Sequence, residues 1–302
     1  MDGLIKARKW PDLIYDVGLH KGEDSEFYLR KGFRVVAFEA NPELALASRN
    51  RLKAFVDNGQ FTIVEGAIIP PDTLKPGQSK IRFYRNEKSS EWGTVNANWA
   101  ERNVHLGTSS YEIEVDAVDF TRMLQEHGIP HFMKIDIEGC DMICIEALKQ
   151  FAERPDYVSV ESDKTSFAKI QYETDVLTDL GYDRFQAIEQ SGIAASQSPP
   201  NPPREGKYVA HRFEPGSSGL FGAELADEWK SRGQLLRQYR AIRLGYYLLG
   251  DYGIINEWKF RGAWKLNRLT SWFLRRLTKA EVPGWYDTHA RHSSASRGAS
   301  WQ

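Results

Sequence analysis

The acids of this chain stand where a cofactor and an acceptor would need them. Leu13, Ile14, Tyr15 and Val17 form a short apolar run broken by Asp16 and followed by Gly18 and Gly22; a second run, Arg34 to Phe38, ends at Glu39. Glu39 lies 23 residues after Asp16, about the distance a nucleotide-binding βαβ unit leaves between its glycine turn and the carboxylate that grips ribose hydroxyls. The spacing predicts an adenosine-type cofactor. The turn itself reads DVGLHKG, not G-x-G-x-x-G. A dinucleotide needs the backbone close to its pyrophosphate at a helix N-terminus, and an aspartate there repels it. The same aspartate favours the amine and sulfonium of S-adenosyl-L-methionine, and Gly18 and Gly22 let the backbone approach the ligand.

Further along, Asp136 and Glu138 close a run that begins at Phe132, with Lys134 two residues earlier on the same strand face. Glu161 ends the run from Tyr157, and Asp163 follows it. Open α/β sheets bind their ligands at the carboxyl ends of strands. There Asp136 can orient an amine of the cofactor or the acceptor. Glu138 can accept from, or deprotonate, an acceptor hydroxyl; an acid before a glycine turn also serves the next helix well, and the two readings of Glu138 weigh equally.

The elements that position these acids alternate between strand and helix. Strands are predicted at 13–17, 34–38, 61–64, 111–116, 132–137 and 157–160. Helices are predicted at 23–31, from Pro42 to Val56, at 118–127, after the EGC turn with Met142, Ile145 and Leu148 on one face, and at 167–180 with Gly181 as C-cap. Lys80 to Arg85 alternates like an edge strand, and residues 86–110 show no period, a loop long enough to be functional. Residues 183–189 and 207–213 read as the last two strands. The proline-rich SQSPPNPPREG between them leaves no room for a crossover helix, so they should form an antiparallel edge hairpin. The expectation is an α/β fold: a Rossmann-like, seven-stranded, mainly parallel methyltransferase sheet, not a six-stranded dehydrogenase sheet.

Two units are expected, a cofactor-binding domain over 1–213 and a helical, aromatic-rich C-terminal cap over 214–302. Six of the nine tryptophans lie from Trp229 onward. Leu235, Tyr239, Ile242, Tyr246 and Leu249 form an apolar stripe. A second helix over 257–279 carries Arg261, Lys265, Arg268, Arg275 and Lys279 around Trp272; this is a solvated face or a contact with a membrane surface or another anionic ligand. Net charge is −1, but residues 1–190 hold 23 basic and 32 acidic side chains against 17 and 9 in the rest. Cys140 and Cys144, four apart in one helix, read as reduced core thiols. The opening MDGLIKARKW has no long apolar core and no stretch reaches the length of a membrane span, so a cytoplasmic location is the default.

DVGLHKGEDSEFYLRKGFRVVAFEANP, with MKIDIEGCDMICIEAL and YVSVESD, resembles the FkbM-like family of S-adenosylmethionine-dependent methyltransferases over roughly residues 12–190. GSSGLFGAEL and WYDTHA are similar to segments of some members. The resemblance implies an O-methyltransferase with Asp16, Gly18, Gly22 and Ser25 around the methionine end of the cofactor and Glu39 on its ribose. Asn41 would lie beside the adenosine, with Ala67 and Ile68 bordering adenine. His20 stands where the family usually has a small or amide residue and belongs to the same site.

Methyl transfer to a weakly acidic hydroxyl gains from a base, and histidine suits neutral pH. His289, beside Asp287 and Trp285 in WYDTHA, is the favoured base, and His20 is second by position. Asp136, Glu161 and Asp163 also stand where some methyltransferases of this fold chelate a divalent ion; the competing reading of the last two is helix-start hydrogen bonds, the sequence leaves the two open, and no metal is assigned. The expected acceptor is a hydroxylated small molecule or glycan, since tryptophans stack on sugar faces, and no nucleic acid is expected. The rivals are a nicotinamide-dependent oxidoreductase and a cofactor-bound adaptor using its basic helix.

Overall fold

The computed structural model describes residues 3–75, 77–88, 90–105, 107–163, 166–249 and 285–295. The basic helix expected over 257–279 lies outside the described residues. In chain order the elements are β1 (Lys9–Val17), α1 (Glu23–Arg30), β2 (Arg34–Glu39), α2 (Pro42–Arg51), α3 (Lys53–Asp57), β3 (Phe61–Glu65), β4 (Ala67–Ile68), β5 (Lys80–Asn86), α4 (Ala97–His105) and β6 (Ser110–Val118). There follow α5 (Phe120–His127), β7 (Ile129–Ile135), α6 (Met142–Ala147), β8 (Tyr157–Glu161), α7 (Phe167–Asp179), β9 (Tyr182–Glu189), α8 (Ile193–Ser196), α9 (Arg232–Leu249) and β10 (Tyr286–His292).

Seven strands form one sheet in the order β3-β2-β1-β7-β8-β10-β9. All neighbours are parallel except β10, which runs antiparallel to both β8 and β9. The central strands are apolar on both faces because helices cover both. On one face Tyr15, Phe38, Met133 and Val158 pack with Leu124, Ile145, Leu177 and Leu235. On the other, Ile14, Val35 and Phe132 meet Phe27 and Tyr28 of α1 and Phe213 and Phe221 of the later chain. Each fully buried side chain of this size contributes on the order of 2–3 kcal/mol. A small second sheet, β4-β6-β5, flanks the large one.

The edge pair is antiparallel as expected, but its inner strand is β10, not residues 207–213. The alternation at 207–213 is real: Val209 and Phe213 are buried. It serves packing on α1, with Phe213 edge-on to Phe27 at 5.1 Å, and not a strand ladder. β10 escapes a hydrophobic scan because YDTHARH buries Asp287, Thr288 and His289 inside the sheet. The segment expected as a cap therefore also supplies a sheet strand. The expected stripe on α9 buries Leu235, Tyr239 and Ile242, and the helix packs on α7 and β9. Residues 86–110, expected as loop, contain α4 and a single 3₁₀ turn over Ser90–Trp92.

The side chains of one sheet row are polar although buried: Asp16, Lys134, Ser159, His289 and Gln186 are paired in register across β1, β7, β8, β10 and β9. On the opposite face a hydrogen-bonded chain ties α9 to α7 through β10. The Tyr239 hydroxyl lies 2.7 Å from Thr288 Oγ1, Thr288 meets Ser162, and Ser162 Oγ donates to Glu173 at 2.9 Å. Burial pushes the Glu173 carboxyl up to about 8, against its hydrogen bond from Ser162. Its folded value thus exceeds its unfolded one, so its contribution to stability is full below about pH 4.5 and is lost as pH rises through 8. Glu173→Gln cannot ionise. Urea denaturation should find the variant about as stable as the native chain near pH 5 and more stable at pH 8, the gap growing by up to about 1.4 kcal/mol per pH unit. Parallel stability curves would contradict this reading of Glu173.

Candidate active site

The carboxyl ends of β1, β2, β7 and β8 open into a cavity of about 800 Å³. Its floor is a close crossing of two turns. Gly18 follows β1 with φ 90°, and a Cβ there would lie 1.9 Å from the Asp136 carbonyl oxygen, so only glycine fits. Beside it, His20 has φ 54° and acts as a hub. Its amide donates to Glu39 Oε2 at 2.8 Å and its carbonyl accepts from Ser48 Oγ at 3.0 Å. Its ring meets Ser90 Oγ at 2.8 Å and Glu23 at 3.3 Å. Ser90 belongs to the stretch that carries Trp92, Thr94 and Trp99 onto the cavity wall. A second tie is made where Thr94 Oγ1 donates to the Glu138 carbonyl at 2.9 Å. Glu138, at φ 48°, and Gly139 complete this turn, and Trp99 packs directly on Gly139.

Gly18, His20, Glu39, Ala67, Ile68, Asp136 and Glu138 all line the cavity. Asp16, Gly22, Ser25, Asn41 and His289 stand behind its wall. Asp16 is fully buried, accepts from Ser25 Oγ at 2.7 Å and holds the Lys134 ammonium at 3.3 Å. The cavity thus meets Lys134, not Asp16. Lys134 also donates to the Gly18 carbonyl at 3.1 Å and lies 3.7 Å from Asp24 and 4.0 Å from Asp136. Burial alone would depress this amine, but Asp16, Asp136 and Asp24 outweigh it and hold it well above its usual range. Asn41 caps α2 by accepting from the Glu43 amide at 3.1 Å.

His289 is the main correction. It pairs with Ser159 two register positions deeper than Asp287 with Glu161, is buried, and does not line the cavity. Burial drives its imidazole down to about 3. Strand alternation puts residues 287 and 289 on one face, and β10 runs antiparallel, so 287 is the one nearer the open end. The sequence reading passed over Asp287 for its neighbour. It also passed over Asp24, an acid in the first turn of α1 that lines the cavity and accepts from the Ser218 amide with both oxygens at 2.9 and 3.0 Å. Burial and then Asp16 push Asp24 up, with Lys134 opposing, to about 6. The Ser218 amide gives the GSSG segment its role.

Asp163 is paired with Lys169 at 2.8 Å, and among the described residues no group of three or more His, Cys, Asp or Glu is arranged to hold a metal. Asp141 takes the Ile137 and Gly139 amides at 2.9 and 3.2 Å, which serves the turn ahead of α6. Cys140 and Cys144 are free thiols, and burial pushes Cys140 up to about 11. Among the described residues no helix is long and apolar enough to cross a membrane.

The wall fits an adenosine cofactor with a cationic tail. Each Glu39 oxygen accepts one backbone amide, from His20 or from Asn41 at 2.8 Å, and each retains a lone pair for a ribose hydroxyl. Ala67, Ile68 and Phe38 offer an apolar slot for a base. At the other end Asp24 and Asp136 flank Lys134, which matches a group bearing both amine and carboxylate.

The Methyltransferase FkbM domain matches this chain over residues 16–187, more than half of its 302 residues. No curated protein matches it. Among solved structures, a SAM dependent methyltransferase from Archaeoglobus fulgidus is similar with 10% identity and TM-score 0.36, covering 92% of this chain and 85% of that one. A SAM-dependent methyltransferase from Thiobacillus denitrificans in complex with S-adenosyl-L-homocysteine has 10% identity and TM-score 0.33, covering 94% and 86%. A precorrin-6y C5,15-methyltransferase from Geobacter metallireducens GS-15 has 15% identity and TM-score 0.30, covering 59% and 68%. At these scores the structures add nothing to what the family match carries.

Proposed function

Because this chain belongs to the FkbM family of S-adenosylmethionine-dependent methyltransferases, we propose that it methylates a hydroxyl oxygen of a sugar, glycan or glycosylated metabolite. The observation that carries the acceptor reading is the make-up of the cavity wall. Trp92, Trp99 and Trp285 provide flat aromatic faces, and among the described residues the wall holds ten carboxyl side chains against two lysines, Lys134 and Lys169, each engaged with an aspartate. Aromatic faces pack on sugar rings and carboxylates accept sugar hydroxyls, whereas such a field repels phosphate. Nucleic acids and phosphorylated sugars are poor acceptors on this account. The acids beside Gly18 equally disfavour the pyrophosphate of a nicotinamide dinucleotide.

S-adenosylmethionine, when bound, supplies a methyl group already activated on a positive sulfur. The chain's part is to hold and orient: Glu39 takes the ribose hydroxyls, Ala67 and Ile68 face the base, and Lys134 with Asp24 and Asp136 holds the amino-acid end. Glu138 accepts from the acceptor. Positioning of this kind can lower the barrier to a bimolecular transfer by up to about 7–11 kcal/mol. The proposed setting is cytoplasmic, and contact of the 257–279 segment with an anionic surface is part of the same proposal.

Reaction with S-adenosylmethionine carrying a deuterated methyl and a mixture of neutral polysaccharides, followed by acid hydrolysis, should yield a mono-methylated sugar bearing the label. A protein that labels only phosphorylated or nucleic-acid acceptors does not have the proposed function.

Glu39 makes cofactor affinity depend on pH. Burial raises its carboxyl to about 7, against the lowering effect of the Asn41 and His20 amides. Ribose hydroxyls donate to the ionised form, so calorimetry should show S-adenosylhomocysteine binding tighten from pH 6 to pH 8, with a slope approaching about tenfold per unit on the acid side. The slope should shrink in Glu39→Gln, and an unchanged slope there would contradict the assignment.

A further inference from the structure

The reaction proposed above needs an acceptor for the hydroxyl proton, and the histidine expected to serve is sealed in the sheet. We infer that Asp287 is the catalytic base of this methyltransferase. Asp287 lies near the cavity-facing end of β10, directly opposite Glu161 of β8 and on the cavity wall with Gly18, Lys134 and Asp136. It is only 6% exposed, and among the described residues its side chain makes no hydrogen bond. A buried carboxyl facing a cavity without a donor is costly unless a ligand supplies one, and an acceptor hydroxyl is such a donor.

The groups that face Asp287 fit this role. Asp136 beyond β7, Glu161 of β8 and Asp24 of α1 are acids that resist its ionisation, and Lys134 of β7 opposes them. Tyr28 of α1 and Tyr239 of α9 also feel its charge, and its register partner on β9 is the apolar Ile188. Burial together with Asp136 and Glu161 holds its carboxyl well above the ordinary aspartate range, the direction that makes a carboxylate a stronger base. In the step it serves, the bond from acceptor oxygen to methyl forms as the methyl–sulfur bond breaks. The sulfur keeps that electron pair and leaves as the thioether of S-adenosylhomocysteine. The hydroxyl proton passes to an Asp287 oxygen and from there to solvent.

The assignment rests on the O-methyltransferase reading, and one set of assays separates the two. Native protein, Asp287→Asn and Asp287→Glu are compared with labelled S-adenosylmethionine and a panel of methyl glycosides, with S-adenosylhomocysteine binding measured in parallel. Expected are a fall in kcat of about 10²–10⁴-fold for Asp287→Asn, S-adenosylhomocysteine affinity within about twofold of native, and partial activity in Asp287→Glu. At saturating donor the native kcat should rise with pH along a limb that Asp287→Asn lacks. A native-like kcat and limb in Asp287→Asn overturn the base and leave the methyltransferase reading intact. A native protein that methylates no glycoside overturns the sugar reading and this assignment with it. Independently of any acceptor, carboxyl ¹³C NMR of the native protein should show a resonance, absent from Asp287→Asn, that titrates above the ordinary aspartate range; ordinary titration overturns the assignment.

Discussion

Lys134→Ala is expected to cost the folded protein about 3–5 kcal/mol, the magnitude found when one partner of a buried ion pair is removed. Among the described residues the amine is the single positive charge set among Asp16, Asp24 and Asp136, with Asp16 and Asp24 both buried. Without it those two carboxyls have to be protonated or leave the interior. The loss should therefore depend on pH with a definite sign. Neutral carboxyls tolerate burial, so the variant recovers more stability than native protein does as pH falls from 7.5 toward 5.5. Urea denaturation at the two pH values measures both effects. Asp16→Asn combined with Lys134→Met, which removes charge on both sides, should be less damaging than Lys134→Ala alone. A loss below about 1 kcal/mol, or one independent of pH, would mean that the central polar row is not held by this ammonium.

Gly18→Ala is the second large effect. An alanine Cβ would lie 1.9 Å from a backbone oxygen, that of Asp136, at a residue whose φ is 90°. Neither partner can yield without parting the ends of β1 and β7. Backbone strain and overpacking of about 1–3 kcal/mol each add here. Because Asp136 and Lys134 are carried on the displaced segment, S-adenosylhomocysteine affinity should fall by more than about 100-fold, well beyond what stability loss alone produces. Calorimetry and thermal denaturation give the two quantities separately. An alanine variant that binds within about threefold of native would show that the crossing does not shape the site.

Much of this was legible in the sequence, and the reasons differ by residue. The spacing from Asp16 to Glu39 reported a cofactor turn because the βαβ unit has a fixed length, and the structure joins the turn to the end of β2 through the hydrogen bond that the His20 amide donates to Glu39. The seven-stranded sheet was readable from alternation, since parallel strands buried on both faces are apolar runs. Which strand completes the sheet was not readable. Residues 207–213 alternate because they pack on α1, while β10 hides its strand character behind Asp287, which faces the cavity, Thr288, which is hydrogen-bonded, and the buried His289. The same blindness misdirected the base: composition favoured a histidine, but only the antiparallel register tells that residue 287 and not 289 reaches the opening. Asp16 was expected around the methionine end of the cofactor; the structure sets it one layer behind the cavity wall, because no spacing rule reveals that Lys134 stands between it and the cavity.

The chemical fate of the transferred methyl tests the central claim most directly. After incubation with S-adenosylmethionine labelled in its methyl group and a neutral glycan extract, product is treated with mild alkali and analysed by mass. The account predicts one added methyl group, retained through alkali as an ether on a sugar oxygen, and formation of S-adenosylhomocysteine in equal amount. Label released by alkali as from an ester, label on nitrogen, or cofactor that binds without any transfer would contradict it.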